Sequence, residues 1–225
     1  DALPISLERP LTPESTAHLR EAIPILLEKK AVVRLPTPAI TPGFYSHIFT
    51  VPKKNSSKRR LIHDLKILNK FYLFRPPKFR LPTLQDLRTL VQPHDLMVSL
   101  DLQDAYLHVP IHPDSHHLLR FVFEGIHYQW VVLPFGISWA PWLFTRIIFP
   151  IRRYLRLHNI PFLMYLDDGF LHGQYRRLLW THLHYTLHLL QFLGWMVNLS
   201  KSDLTPTMSL QYLGAVFLTN QDRME

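Results

Sequence analysis

Three aspartates carry the chemistry that can be read from this chain. Asp167 and Asp168 stand side by side in Tyr165-Leu166-Asp167-Asp168, between the apolar run Ile160-Pro161-Phe162-Leu163-Met164 and Gly169-Phe170-Leu171. Asp101 closes another apolar run, Leu96 to Leu100. Two carboxylates at a hairpin tip repel each other, and each loses water. Magnesium or manganese, which prefer oxygen ligands, would relieve both costs. Asp-Asp-Gly is also ordinary hairpin-turn chemistry, because aspartate tolerates the turn and glycine supplies a positive φ. The third acid weighs against a turn alone. If the strands ending at Asp101 and Asp167 are neighbours, their carboxylates meet at one sheet edge, with Asp168 adjacent and Asp104 one turn further on. Such a cluster can hold two cations and serve phosphoryl transfer, activating the attacking oxygen and stabilising the leaving one.

The charge balance adds a partner class. The net charge is +8 and the pI about 9.8, which suits a polyanion. From Lys53 to Arg80 there are ten Lys or Arg residues against one acid, Asp64. Lys53-Lys54-Asn55-Ser56-Ser57-Lys58-Arg59-Arg60 is either a solvated loop or the phosphate-gripping tip of a hairpin. In the second case it could hold a triphosphate beside the acids. Other chemistries fit poorly. A glycosidase pair needs a protonated acid beside a sugar cleft, which the basic charge disfavours. There is no Asp-Thr-Gly or Asp-Ser-Gly element and no G-x-x-x-x-G-K loop. No serine sits in a strand–turn–helix nucleophile setting. With no cysteines, disulfides, thiolate zinc sites and cysteine nucleophiles are excluded. The fourteen histidines are scattered without ligand spacing. No apolar run is long enough to span a membrane. The first residues do not read as a signal peptide.

The elements that must position these residues follow from periodicity. Thr12-Pro13-Glu14 opens a helix over 12–30, with Pro24 kinking it or shifting its start. Strands over 46–52 and 59–65 flank the basic loop, and an irregular stretch follows Leu68-Asn69-Lys70. Pro82-Thr83-Leu84 opens a helix to about Val91. Leu96–Leu100 is a strand, and Gln103–His108 is one or two helical turns. A hairpin over 118–133 turns at Glu124-Gly125. A long helix runs from Ser138 to about His158, and a second from Tyr175 to Leu193. Short strands near 195–197 and 213–218 close the chain. From Leu96 onward this order predicts an α+β fold, an antiparallel sheet with helices on one face.

Several blocks, in order, resemble the catalytic domain of reverse transcriptases of the retroviral type. They look closest to those of long-terminal-repeat and tyrosine-recombinase (DIRS-like) retrotransposons. Arg60-Leu61-Ile62-His63-Asp64-Leu65 with Leu68-Asn69 is similar to the fingers block. Leu100-Asp101-Leu102-Gln103-Asp104-Ala105-Tyr106 resembles the first palm block, and Leu133-Pro134-Phe135-Gly136-Ile137-Ser138 with Ala140-Pro141 the second. Tyr165-Leu166-Asp167-Asp168 resembles the third, followed by Leu193-Gly194, Asn198, Lys201-Ser202 and Tyr212-Leu213-Gly214. The match covers roughly residues 45–218.

This resemblance implies a right-hand polymerase fold, with a ferredoxin-like palm over 96–225 and fingers over 1–95, elements of about 113–133 being fingers inserted in the palm. It implies RNA-directed DNA synthesis on a template-primer duplex from deoxynucleoside triphosphates. Asp101, Asp167 and Asp168, with the Leu102 carbonyl, would hold two magnesium ions, manganese being a substitute. Lys201 would protonate the leaving pyrophosphate. Lys53 or Lys54, with Arg60, would grip the triphosphate and incoming base. Gln103, Asp104, Ala105 and Tyr106 would line the nucleotide site, with the Tyr106 ring under the sugar and against a 2′-hydroxyl. Phe135 and Gly136 would face the nucleotide and template, without the polar contact made by the glutamine of some retroviral relatives. Gly169-Phe170, where bulky apolar residues are commoner, would loosen the second strand of the hairpin. The chain ends where a thumb, a connection segment and an RNase H domain would follow, as in a polyprotein fragment or a reduced copy with a poor grip on duplex. The alternative is an inactive nucleic-acid-binding remnant of a retroelement, which would be expected to lose the three acids at random. Work inside a cell, in cytoplasm or nucleus, is expected.

Overall fold

A computed structural model describes residues 10–36, 43–53 and 59–220. In chain order the elements are α1 (Pro13–Glu28), β1 (Val32–Arg34), β2 (Ile48–Pro52), β3 (Arg59–His63), α2 (Leu84–Leu90), β4 (Leu96–Asp101), β5 (Arg120–Phe123), β6 (Ile126–Trp130), α3 (Ala140–Leu157), β7 (Phe162–Tyr165), β8 (Asp168–Gly173), α4 (Arg176–Phe192), β9 (Asp203–Thr207), β10 (Ser209–Tyr212) and β11 (Ala215–Leu218). The chain divides into two compact units. Unit 1 holds residues up to 76 and 106–140, and unit 2 holds 77–105 and those from 141 on. The division falls at 76/77, earlier than the 95/96 boundary expected from the sequence. The reason is packing: Leu87 and Val91, in and just after α2, share a core with Met97, Leu163 and Phe170.

Unit 1 is built on an antiparallel sheet, β1-β6-β5, and the hairpin β2-β3. α1 is capped by Thr12, whose side chain accepts from the Ser15 N–H, and it runs unbroken through Pro24. Its inner face lays Leu19 and Ile23 into a core with Ile48, Leu68, Phe121 and Trp130. The β5–β6 turn is Glu124-Gly125, both with positive φ, as two-residue hairpins favour. The stretch from Leu68 begins as a helical turn, and residues 73–77 are irregular as expected. Leu68–Tyr72 closes a wide helical turn in which Leu73 N–H donates to the Leu68 carbonyl at 3.1 Å.

His63 is buried in this core, with ring centroids 5.7 Å from Phe121 and 6.3 Å from Trp130. Burial lowers its pKa to about 4 from the ordinary 6.5. Between those values the unfolded chain takes up a proton that the folded chain refuses, so stability falls as pH drops from about 6.5 to about 4. That loss is about 2–3 kcal/mol and should vanish in His63→Phe, as read by urea denaturation at about pH 7.5 and about pH 4.5. Equal acid losses in the two chains would contradict the assignment.

Unit 2 carries the four-stranded antiparallel sheet β7-β8-β4-β9 and the hairpin β10-β11. Buried Phe144, Ile148, Ile151 and Leu155 define the inner face of α3. Leu179, Leu183, Thr186 and Leu190 define that of α4, both at helical spacing. The strand expected at 195–197 is reduced to one bridge, Leu102 with Val197. β9 has no counterpart among the strands expected from sequence; it holds Pro206, which is tolerated because β9 lies at the sheet edge. The turns expected over Gln103–His108 form only as a short tight helix, Ala105–His108. No helix among the described residues is long and apolar enough to cross a membrane.

Candidate active site

Backbone pairing brings the three acids of unit 2 to one sheet edge. Asp101, the last residue of β4, is the cross-strand partner of Asp168, the first residue of β8. Tyr165 also pairs with Asp168, so the β7–β8 turn is Leu166-Asp167. The Asp-Asp-Gly turn is therefore not what forms. Leu166 takes the positive φ, 51°, a strained choice for a branched side chain. Gly169 sits inside β8, and its role is spatial: a Cβ there would stand 2.5 Å from Leu100 Cδ1 and 3.0 Å from Phe162 Cε2. The expected loosening is not seen in the pairing at Gly169: β8 pairs with β4 along its length and with β7 from Asp168 to Leu171.

Each acid is held from behind. The Asp101 N–H donates to Ser202 Oγ at 3.0 Å, and that hydroxyl donates to the Asn198 carbonyl at 2.7 Å. The Asn198 N–H returns a bond to the Asp101 carbonyl at 2.8 Å, and Leu102 N–H donates to the Asp167 carbonyl at 2.8 Å. Tyr212 Oη donates to the Asp168 carbonyl at 2.7 Å. The Tyr212 ring is buried against Phe170, centroids 5.1 Å apart, and burial raises its pKa. Tyr212, Ser202 and Asn198 were not chosen as site residues from sequence. Their only signal was membership of the later blocks. Removing the hydroxyl leaves a partly buried carbonyl short of a donor, so Tyr212→Phe should cost about 1 kcal/mol by urea denaturation and speed amide exchange around Asp168. Unchanged stability and exchange would show that the bond holds nothing.

Burial raises the pKa of Asp167, with the Asp101 charge adding to it. Asp168 is raised to about 6 by burial first, then by Asp167 and Asp101. Lys201 opposes these shifts, but its Nζ lies 3.6 Å from Asp101 Oδ1 and its side chain is 60% exposed. Among the described residues, no group of three or more His, Asp or Glu side chains forms a ready metal cage. The ligand set expected from sequence is thus assembled by backbone register, not by converged side chains. The donors still fit a hard divalent ion: they are carboxylate oxygens, crowded and short of positive charge. Gln103 is exposed, and its N–H donates to the Met196 carbonyl at 2.8 Å. Asp104 has a positive φ of 51°.

The remaining expected residues lie in unit 1, apart from Ala105, which is buried in unit 2. Tyr106 and Phe135 face each other, centroids 5.1 Å apart, with Phe135 53% exposed. Gly136 has φ 100°. Its carbonyl accepts from Asn69 Nδ2 at 2.8 Å, while Asn69 Oδ1 accepts from the Ser138 N–H at 2.8 Å. Asn69 therefore fixes the Phe135–Ser138 loop, a role the sequence did not single out. Lys53 and Arg60 are exposed, and Lys54 lies outside the described residues. Arg59, one residue from Arg60, is tied down instead, with its Nε donating to Thr50 Oγ1 at 2.7 Å.

Comparison with known proteins gives one family. Residues 51–217 match the family model described as reverse transcriptase (RNA-dependent DNA polymerase). The chain is 32% identical over 231 residues to the Gag-Pol polyprotein of Walleye dermal sarcoma virus, covering 99% of this chain and 12% of that polyprotein. It is 30% identical over 218 residues to the Gag-Pro-Pol polyprotein of Human T-cell leukemia virus 3 (strain Pyl43), covering 92% of this chain and 14% of that one. The chain thus spans only a small part of these relatives. In fold it is similar to a foamy viral protease-reverse transcriptase solved in complex with double-stranded DNA, with TM-score 0.83, 21% identity, 97% of this chain and 36% of that one. A structure of the foamy viral enzyme with an RNA/DNA hybrid gives TM-score 0.81 at 22% identity, covering 97% of this chain and 28% of that one.

Proposed function

The chain belongs to the reverse transcriptase family, and on that premise we propose that it is the nucleotide-adding core of an RNA-directed DNA polymerase. The observation that carries this is the pairing of Asp101 with Asp168 across β4 and β8, with Asp167 at the adjoining turn. Unit 2 is the palm and unit 1 the fingers. Asp101, Asp167 and Asp168, with the Leu102 carbonyl, are the residues to hold two magnesium ions. Those ions, when bound, neutralise phosphate charge and activate the attacking oxygen. The primer 3′-hydroxyl attacks the α-phosphate of a deoxynucleoside triphosphate, a phosphodiester bond forms, and pyrophosphate leaves.

The chain's own residues supply position and charge. Lys53 or Lys54 and Arg60 neutralise the triphosphate from the fingers, and Lys201 gives a proton to the departing pyrophosphate. The backbone from Gln103 to Ala105 seats the nucleotide. Within unit 1, the Tyr106 ring excludes a 2′-hydroxyl, with Phe135 against it and Gly136 next in the chain. The basic surface holds the template-primer through its phosphates, so binding should weaken steeply with salt.

Extension of a DNA primer on an RNA template with magnesium tests the function. Deoxynucleotide addition with pyrophosphate release is expected. Template-primer binding without addition in magnesium or manganese would instead favour the inactive binding remnant. Metal linkage gives a second readout. Magnesium should raise the melting temperature at about pH 7.5, and the gain should disappear as pH falls through about 6, where Asp168 takes up its proton. A gain independent of pH would place the metal elsewhere.

A further inference from the structure

Unit 2 contains a second charged site, opposite in sign to the first. A cleft of about 670 Å³ is lined by residues 80–90, the last turns of α3 and the β7–β8 hairpin. Accessible apolar side chains, among them Leu81, Leu90 and Pro161, line it beside Arg80, Arg152 and Arg156. Arg152 and Arg156 are four residues apart on α3, so their guanidinium groups share one helix face. Arg152 is partly buried, and its Nε is buried with no hydrogen-bond partner among the described residues. Burial lowers the pKa of Arg152, and the neighbouring Arg156 lowers it further.

The lining offers little to offset this charge. Asp86 is its one acid, and that carboxylate is committed to Arg80 and to the cap of α2, which leaves Arg152 and Arg156. It accepts from Arg80 Nη2 at 2.6 Å, and from the Thr83 N–H and hydroxyl at 2.7 and 2.8 Å, as the cap of α2. His172, the other titratable group in the lining, is bonded through Nδ1 to buried Asp95 at 2.8 Å. Neither Arg152 nor Arg156 forms an ion pair with a described carboxylate. Two guanidinium groups one helical turn apart, one of them partly desolvated, are costly side by side unless they share an anion. An oxyanion suits them, because a guanidinium can donate two parallel hydrogen bonds to it.

We propose that this cleft binds a small organic oxyanion with an aromatic or similarly flat apolar body. Arg152 and Arg156 grip the anionic head, and the body lies against the accessible apolar lining at Leu81, Leu90 and Pro161. The cleft volume suits a molecule of that size.

Calorimetric titration of the full chain with 1-naphthyl phosphate tests this, with metal and nucleic acid left out. Saturable binding is expected, weakened at least about tenfold in Arg152→Met and in Arg156→Gln, and about tenfold weaker for neutral 1-naphthol. Arg156 is exposed, so the second variant keeps the test decisive if the first does not fold. Binding unchanged in Arg156→Gln, or no saturable binding, would overturn the site. Inorganic phosphate binding as tightly as the naphthyl ester would overturn the ligand class.

Discussion

Asp168→Asn is expected to stabilise the metal-free chain while abolishing synthesis. The two effects share one cause. Asp168 is crowded by burial and by Asp167 and Asp101, which raise its pKa to about 6. At neutral pH the folded chain must hold that carboxylate ionised against this resistance. The raised pKa sets the sign: the folded form retains a proton that the unfolded form has lost, so stability falls as pH rises from about 4 to about 6. The neutral amide removes that loss. Because the group is only partly buried, the gain is about 1 kcal/mol after allowance for screening. The same change removes a charged oxygen ligand from the proposed ion site, and synthesis should fall at least about a thousandfold, or about 4 kcal/mol of barrier. Urea denaturation without metal, beside primer extension with magnesium, reads both. A variant that is less stable and equally active would refute the account on both counts.

Gly169→Ala is expected to break the hairpin from within. At an ordinary φ, replacing glycine by alanine usually stabilises by about 0.4–1 kcal/mol, because the unfolded chain has less freedom to lose. Here space decides the sign. The new methyl would stand 2.5 Å from Leu100 Cδ1, 2.8 Å from Leu100 Cγ and 3.0 Å from Phe162 Cε2. Both neighbours are buried, so neither can swing into solvent. Overpacking of this kind costs about 1–3 kcal/mol, and a displacement of about 1 Å at Asp168 should lower synthesis about a hundredfold. Leu100→Ala empties the opposing side. The double variant should therefore recover part of both losses, with a favourable coupling of about 1 kcal/mol or more. Additive losses would mean that Gly169 matters for some reason other than this contact.

The sequence carried the edge but not the details that hold it. The apolar runs ending at Asp101 and Asp167 would bring the acids together as neighbouring strands; instead β8 lies between β4 and β7, and it is Asp168, the first residue of β8, that pairs with Asp101. The ordered blocks made the family and the α+β fold legible. Composition could not say that Leu166 takes the strained turn position and leaves Gly169 inside the strand. That depends on Leu100 lying across from it. The supports from Tyr212, Ser202 and Asn69 are hydrogen bonds between residues distant in the chain. No local pattern announces such bonds. Likewise α2 joined unit 2 through the burial of Leu87 and Val91, a tertiary contact outweighing a boundary drawn from strand and motif order.

The most direct test is the addition of one labelled deoxynucleotide to a primer on an RNA template, by the intact chain and by Asp167→Asn side by side in magnesium. Templated addition by the intact chain and a loss of at least about a thousandfold in the variant are the results expected of a carboxylate edge that drives nucleotidyl transfer. Equal addition by both chains would contradict it.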